Sequence, residues 1–389
     1  MREVDLEEER NSPCDGYGDN GLIAALILLV SFGLVMGYSA SGNTALSNGK
    51  AAFYFLLKQG VIGLGGFALA LILSKLDYHV LWNLGYAGVG VSAVLLFILR
   101  FFEPINGARR WIRILGKFTF QPSELARLAI VICVPILAVK KRRAFGSLSD
   151  TILSLLPGTL LAAETLFISD DLSSAVILFA MSYFVVFIAH PGTRKLLAAA
   201  AAGVLAAAAF VLYVWMRYVP GDGSSFRLIR LLIWKNPAAY EGTNGEQTIL
   251  GLYAIGNGGF FGKGLGSSTM KLGQLREAGN DWIFSVICEE LGFFGAFVVV
   301  LLFLYLLYRL LVIAIHAPDL YGSLLTAGVF AHMALQSALH IAVTVGLAPP
   351  TGVTLPFFSF GGSSLLITMA EMAVVMSVSR RIRRKQEGD

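Results

Sequence analysis

The chain has 389 residues, 56% of them hydrophobic and only 14% charged, with a mean hydropathy of +0.71. Soluble domains carry roughly 25% charged residues, so the chain lacks the polar surface to stay in water, and a disordered chain, a disulfide scaffold and a nucleic-acid-binding domain are excluded. The net charge of +5 fits a polytopic membrane protein whose basic residues mark the cytoplasmic side and nearby anionic lipid.

The first 20 residues are acidic (Glu3, Asp5, Glu7, Glu8, Glu9, Asp15, Asp19), the wrong chemistry for the basic start of a secretion signal. The first apolar run is therefore expected to remain as a membrane span. A span needs about 20 apolar residues, and ten runs satisfy this: 21–39, 53–73, 80–101, 123–139, 151–168, 172–189, 196–216, 282–308, 320–345 and 362–379. No barrel-type alternation is present, so the predicted fold is all-α, a single ten-span membrane domain over residues 21–379. The clusters Lys140–Arg143 and Arg380–Lys385 are separated by six spans and so fall on one side, together with Arg194, Lys195 and Arg309. Basic residues in short loops mark the cytoplasm, which places both termini inside, as an acidic tail (1–20) and a basic tail (380–389). Segments 102–122, 217–281 and 346–361 then face outward, the second as a long extracytoplasmic loop between the seventh and eighth spans. Cys14, Cys133 and Cys288 have neither metal-ligand spacing nor a disulfide logic, which suits inert thiols.

The outer segments carry the cations Arg109, Arg110, Arg113, Lys117, Lys263, Lys271 and Arg276, against the positive-inside trend, and this hints at an anionic ligand. Trp111 suits such a site or an interfacial aromatic belt. In Gln121–Arg127, Pro122 and Ser123 suit a helix start, and Glu124 and Arg127, three apart, could pair at its outer end or line an outward cavity. The glycine-rich run Gly256–Gly266 fails as a phosphate-binding loop: position 257 is Asn257, and Gly264 follows Lys263 where serine or threonine is needed. It reads either as a flexible outer loop or as backbone that must approach a ligand or the bilayer surface closely. Asp281, where the long loop meets the eighth span, is a candidate general base and equally a candidate helix N-cap. Glu289 and Glu290 follow about two turns later, and as adjacent residues at most one can share a cavity with Asp281. His79, His190, His316, His332 and His340 form no metal-spaced cluster; His332 and His340 suit buried, hydrogen-bonded histidines. Glu164 and Glu371 are lone carboxylates inside spans with no assigned role. Gly33 and Gly37 suit helix packing.

Taken in order, five patches resemble the SEDS family of bacterial cell-wall proteins (shape, elongation, division and sporulation). They are Gly107–Ile112, Gln121–Leu125, Gly256–Gly266, Asp281–Phe284 through Glu289–Gly292, and Pro350–Ser364 with its Pro-Thr-Gly-Val-Thr-Leu-Pro-Phe-Phe-Ser-Phe-Gly-Gly-Ser-Ser run. The Gly264–Ser267 run with Lys271 looks closer to the division and sporulation branch than to the elongation branch. The resemblance implies a multi-pass protein of the bacterial cytoplasmic membrane, a peptidoglycan glycosyltransferase that extends glycan strands from lipid II beside a class B penicillin-binding transpeptidase and other divisome or elongasome membrane proteins. Carried over by motif, Asp281 is the catalytic acid-base residue. Arg109, Arg110, Trp111, Lys117, Glu124, Lys263 and Lys271 are then the substrate-binding candidates for a pyrophosphate-bearing lipid, with a divalent cation (Mg or Mn) as a further source of positive charge and no organic cofactor or nucleic acid.

The chain departs from the family pattern at Asp170-Asp171-Leu172-Ser173-Ser174, where Pro-Asp-Leu-Gly-Thr is common, and at Gly279-Asn280 and Arg276 before Asp281, where His-Thr and a proline are usual. Two readings from other classes use the same segments: a lipid II flippase, against which stands the lack of an internal repeat, and a non-catalytic scaffold for the transpeptidase.

Overall fold

A computed structural model describes residues 19–47, 54–103, 109–114, 118–141, 148–217, 226–240, 242, 244–272, 275, 278–359 and 361–386. It contains twelve α-helices: α1 (Asn20–Ser47), α2 (Tyr54–Leu73), α3 (Leu81–Ile98), α4 (Pro122–Lys141), α5 (Leu148–Phe167), α6 (Leu172–Ala189), α7 (Thr193–Arg217), α8 (Phe226–Lys235), α9 (Asn244–Gly258), α10 (Ile283–His316), α11 (Leu320–Thr344) and α12 (Gly362–Gln386). Ten of them, all but α8 and α9, are long and apolar enough to cross a membrane, matching the ten expected spans. The chain is a multi-pass membrane protein.

Local chemistry sets several of the ends. Pro122 opens α4 at the first helical position, where its missing N–H costs nothing, and Glu124 in the first turn and Lys140 and Lys141 in the last complement the helix dipole. The Asp171 side chain caps α6 by accepting from the Ser174 N–H at 3.2 Å, and Asp319 caps α11 by accepting from Gly322 N–H at 2.7 Å. Three helix ends differ most from the sequence reading, the first being that of α1, which runs to Ser47 rather than to 39. Helix α10 runs on past residue 308 to His316, because Arg309 inside it meets the Asp19 carboxylate rather than lipid. Helix α12 continues through the basic cluster to Gln386, so the stretch from residue 380 continues the last span up to that point.

Helices α4, α11 and α12 are the most enclosed and form the centre of the bundle, whereas α7 is almost wholly exposed. The core is aliphatic, with Leu22, Leu26, Ile130, Ile136, Leu161, Leu306, Leu310 and Val375 among its buried side chains. An outward belt of Leu64, Phe97, Val204, Phe293, Leu304 and Ile315 is exposed, as suits hydrocarbon. Before α4 a small antiparallel hairpin pairs Ile112–Ile114 with Phe118–Phe120, Ile112 opposite Phe120, a strand element the all-α reading did not anticipate.

Candidate active site

Four segments converge where α10 begins. The first is the stretch leading into the hairpin, with Arg110; the second is the start of α6, with Asp170 and Asp171. The third is α8, with Arg230, and the fourth is the irregular connection 345–361 between α11 and α12. That connection has the non-helical backbone that a membrane tolerates only when packed in protein or lining a cavity, and side chains hold it from several directions. Arg230 Nη1 donates to Thr351 O at 3.1 Å, Trp234 Nε1 to Gly346 O at 2.8 Å, Gln336 Nε2 to Thr354 O at 3.0 Å and Ser359 Oγ to Asn280 O at 2.8 Å; the His340 ring Nδ1 lies 2.7 Å from Val353 O.

Gly352 sits at the meeting point. Its φ of +73° favours glycine, and a Cβ there would lie 2.9 Å from Asp281 Oδ2 and 3.7 Å from Arg110 Nη1. The Asp281 carboxylate and the Arg110 guanidinium therefore flank one bare stretch of backbone. Arg110 is held in turn by α6: its Nε is 3.7 Å from Asp171 Oδ2 and its Nη2 donates to Asp170 O at 3.3 Å. That carbonyl belongs to a residue with φ +53°, and Asp170 replaces the proline usual in the family pattern. Burial and the neighbouring Arg110 guanidinium hold Arg230 below the usual arginine range, opposed by the Asp171 and Asp281 carboxylates. Two guanidiniums and two carboxylates thus share one field, with the cations placed for an oxyanion and Asp281 for a proton.

The cap reading of Asp281 does not hold. Trp282 occupies the N-cap of α10, with no side-chain cap hydrogen bond, and the Asp281 carboxylate lies instead against Gly352. Arg109 is exposed and Trp111 half-buried beside Arg110 in sequence; Lys117 and Arg276 lie outside the described residues. Glu124 is buried, beside Arg127 and opposite Ser363 and Ser364. Arg230, at the heart of the cluster, was missed by sequence reasoning; its signal was a cationic, amphipathic decapeptide inside the polar loop.

Lys263 and Lys271, expected to meet substrate, are instead engaged by the two carboxylates of α10. Glu289 accepts from Lys263 Nζ at 2.9 Å, Ser268 Oγ at 2.5 Å and Thr269 Oγ1 at 2.8 Å. Glu290 pairs with Lys271 Nζ and accepts from Ser39 Oγ and, at 3.0 Å, from Gly266 N–H. The pairing follows from a break in α10 at Gly292 (φ +68°, ψ −166°). There the freed carbonyls of Glu289 and Glu290 accept from the N–H groups of Lys263 and Gly264 at 3.0 and 2.9 Å. The glycine-rich run is therefore backbone in close approach, but to the protein's own helix. Lys271 and Glu290 are 5% and 0% exposed, and removing one partner of a buried ion pair costs about 3–5 kcal/mol. Lys271→Met is expected to lower stability by that amount in detergent thermal unfolding, with partial recovery in the Lys271→Met/Glu290→Gln double variant. A single variant that melts with the wild type would show the pair to be dispensable.

Comparison with known proteins agrees with this architecture. Residues 20–384 match the FtsW/RodA/SpoVE family model, described as a cell cycle protein. The chain belongs to the FtsW/RodA/SpoVE family. Among curated relatives, "Probable peptidoglycan glycosyltransferase FtsW" of Trichlorobacter lovleyi is 35% identical, covering 93% of both chains. "Stage V sporulation protein E" of Bacillus subtilis is 33% identical over 93% of this chain and 97% of its own. Among solved structures, a chain from a peptidoglycan synthase complex, described for the coordination of polymerization and crosslinking, matches with a TM-score of 0.75 and 30% identity, covering 94% of this chain and 98% of that one. Thermus thermophilus rod shape determining protein RodA matches with a TM-score of 0.64 and 28% identity over 95% and 98%. FtsW/RodA/SpoVE membership thus covers the whole helical bundle.

Proposed function

We propose that this chain is a peptidoglycan glycosyltransferase that polymerises glycan strands from lipid II at the outer face of the bacterial cytoplasmic membrane, with both termini in the cytoplasm. The observation that carries the reading is the Asp281 carboxylate set against Gly352 beside Arg110, with Arg230 in the same field, in a chain of a family whose members are named for this activity. The basic clusters Lys140–Arg143 and Arg380–Lys385 support the orientation.

In the proposed step Asp281 takes the proton of the acceptor sugar's 4-hydroxyl as that oxygen attacks the donor's anomeric carbon. The new C1–O4 bond forms as the C1–O bond to pyrophosphate breaks, undecaprenyl pyrophosphate leaves with the electron pair, and the linkage inverts from α to β. Arg110 and Arg230 face the charge that develops on the leaving group, where fixed cations are worth most. Arg109 and Trp111, which flank Arg110 in sequence, Lys117, proposed from the sequence alone, and the buried Glu124 are the further substrate-binding candidates. Among the described residues no group of three histidine, cysteine or acidic side chains could hold a metal ion, so a divalent cation is proposed only as a companion of the pyrophosphate and no step is assigned to it. The partner is a class B penicillin-binding protein, in keeping with the synthase complex that resembles this chain, alongside other membrane proteins of the division or elongation machinery.

The test is glycan synthesis by the purified protein with its transpeptidase, labelled lipid II and a divalent cation. Polymer is expected from the wild type; lipid II crossing the bilayer without polymer would favour a flippase, and neither, in an intact complex, a scaffold. Arg110→Gln is expected to lower kcat/KM about 10²-fold, the size typical of losing one charge-stabilising donor, and unchanged kinetics would remove Arg110 from the site.

A further inference from the structure

Glu371 of α12 and His332 of α11 are 0% and 2% exposed in the middle of the bundle, and the transferase step uses neither. His332 Nδ1 lies 2.7 Å from Glu371 Oε2, and its Nε2 lies 2.6 Å from Gln336 Oε1. Gln336 cannot be turned the other way. Its Oε1 also accepts from Arg127 Nη1 at 2.9 Å, and arginine only donates; its Nε2 donates to Thr354 O at 3.0 Å, and a carbonyl only accepts. His332 Nε2 must therefore carry a hydrogen. Its Nδ1 then either donates to a Glu371 carboxylate or accepts from a Glu371 carboxylic acid, and in both cases one proton sits between them. The other Glu371 oxygen has no partner among the described residues, so all of this residue's hydrogen bonding goes to His332.

Two arms lead from Gln336 to the site. Through Thr354 it fixes the connection two residues from Gly352, which lies against Asp281. Through Arg127 it reaches Ser174 Oγ at 3.1 Å, then Asp171 Oδ2 at 2.9 Å, and so the carboxylate facing Arg110. Guanidinium groups do not deprotonate in proteins, so the chain cannot conduct a proton past Arg127; it can only transmit orientation.

We propose that Glu371 and His332 are positioning residues which, by holding His332 as an Nε2 donor, lock the Gln336 amide and thereby set both Asp281 and Arg110. The proposal rests on the transferase reading for its kinetic consequence but not for its structural one. A displacement of about 1 Å in an active site costs on the order of 10²-fold in rate. Glu371→Leu and Gln336→Leu are each expected to lower kcat about 10- to 100-fold with KM for lipid II within about twofold. The double variant should be no slower than Gln336→Leu alone, since the two act through one hub. Glu371→Gln should be rescued to within about threefold of wild type, its amide N–H donating to Nδ1 while Nε2 keeps its hydrogen. Additive losses, or a Glu371→Gln as slow as Glu371→Leu, would overturn the proposal. So would nitrogen NMR of histidine-labelled protein, its His332 signal assigned by loss in His332→Gln, finding Nε2 unprotonated. That spectrum decides the matter even if the wild type makes no glycan or Glu371→Leu does not fold, while wild type and Asp281→Asn judge the transferase reading separately.

Discussion

Asp281→Asn is expected to lower lipid II polymerisation about 10²–10⁴-fold, the usual contribution of a positioned general base, while leaving insertion, thermal stability and transpeptidase binding near wild type. Asparagine matches aspartate in size, so the close approach to Gly352 is kept, while the negative charge facing Arg230 and the ability to take a proton are lost. The start of α10 does not depend on the Asp281 carboxylate. Trp282, not Asp281, holds the N-cap of α10, and the Asp171 carboxylate still faces Arg110. The comparison is the yield of glycan chains on a gel, in the presence of the partner. Near-normal chains from the variant would keep a polymerase but take the base away from Asp281.

The second large effect falls on stability. Gly292→Ala is expected to lower it by at least ~3 kcal/mol. Backbone with φ near +68° and ψ near −166° is essentially restricted to glycine, and a side chain there costs about 1–3 kcal/mol in strain alone. In addition, the new Cβ would lie 2.3 Å from Gly262 N and 2.5 Å from Phe260 O, both backbone atoms with no rotamer to move. Relief would have to come from parting the 258–264 segment from α10 and so from uncovering Glu289 and Glu290. Thermal unfolding in detergent reads this directly, with Gly256→Ala, which meets nothing within 4 Å, as the control. Equal melting of Gly292→Ala and wild type would mean that the break in α10 is not braced by the glycine-rich run.

The spans were legible because a membrane imposes a length on an apolar run, and that rule needs no tertiary information. Their ends were less so. Arg309 looked like a loop residue until Asp19, 290 positions away, turned out to be its partner. The three-residue strands around 112–120 are too short to display an alternation. At the site, Asp281 stood out as a charge at a polar–apolar boundary and Arg110 only as one of seven cations in the outer segments, and the family resemblance sharpened the choice. The chemistry of Lys263 and Lys271 could not be read, since Glu289 and Glu290 reach them only because α10 breaks at Gly292 and the glycine-rich run folds onto it. Glu371 was visible as an isolated acid and had no role until His332, 39 residues earlier, supplied its partner.

The bond between Asp19 and the late helices bears on how the molecule is put together. Arg309 grips the Asp19 carboxylate at the mouth of α1, and the Asp19 N–H donates to Ser379 Oγ near the end of α12 at 3.0 Å. Helix α2 in turn packs chiefly on α12, and α1 on α10. Asp19 accepts locally from the Leu22 N–H at 2.8 Å, but its Arg309 and Ser379 partners, and the Ser359 carbonyl that accepts from the buried Gln59, are reached only after the later helices have been made. Until then lipid, water at the bilayer edge or an insertion factor must shelter those groups, so the packing of α1 and α2 onto α10 and α12 follows the synthesis of α12.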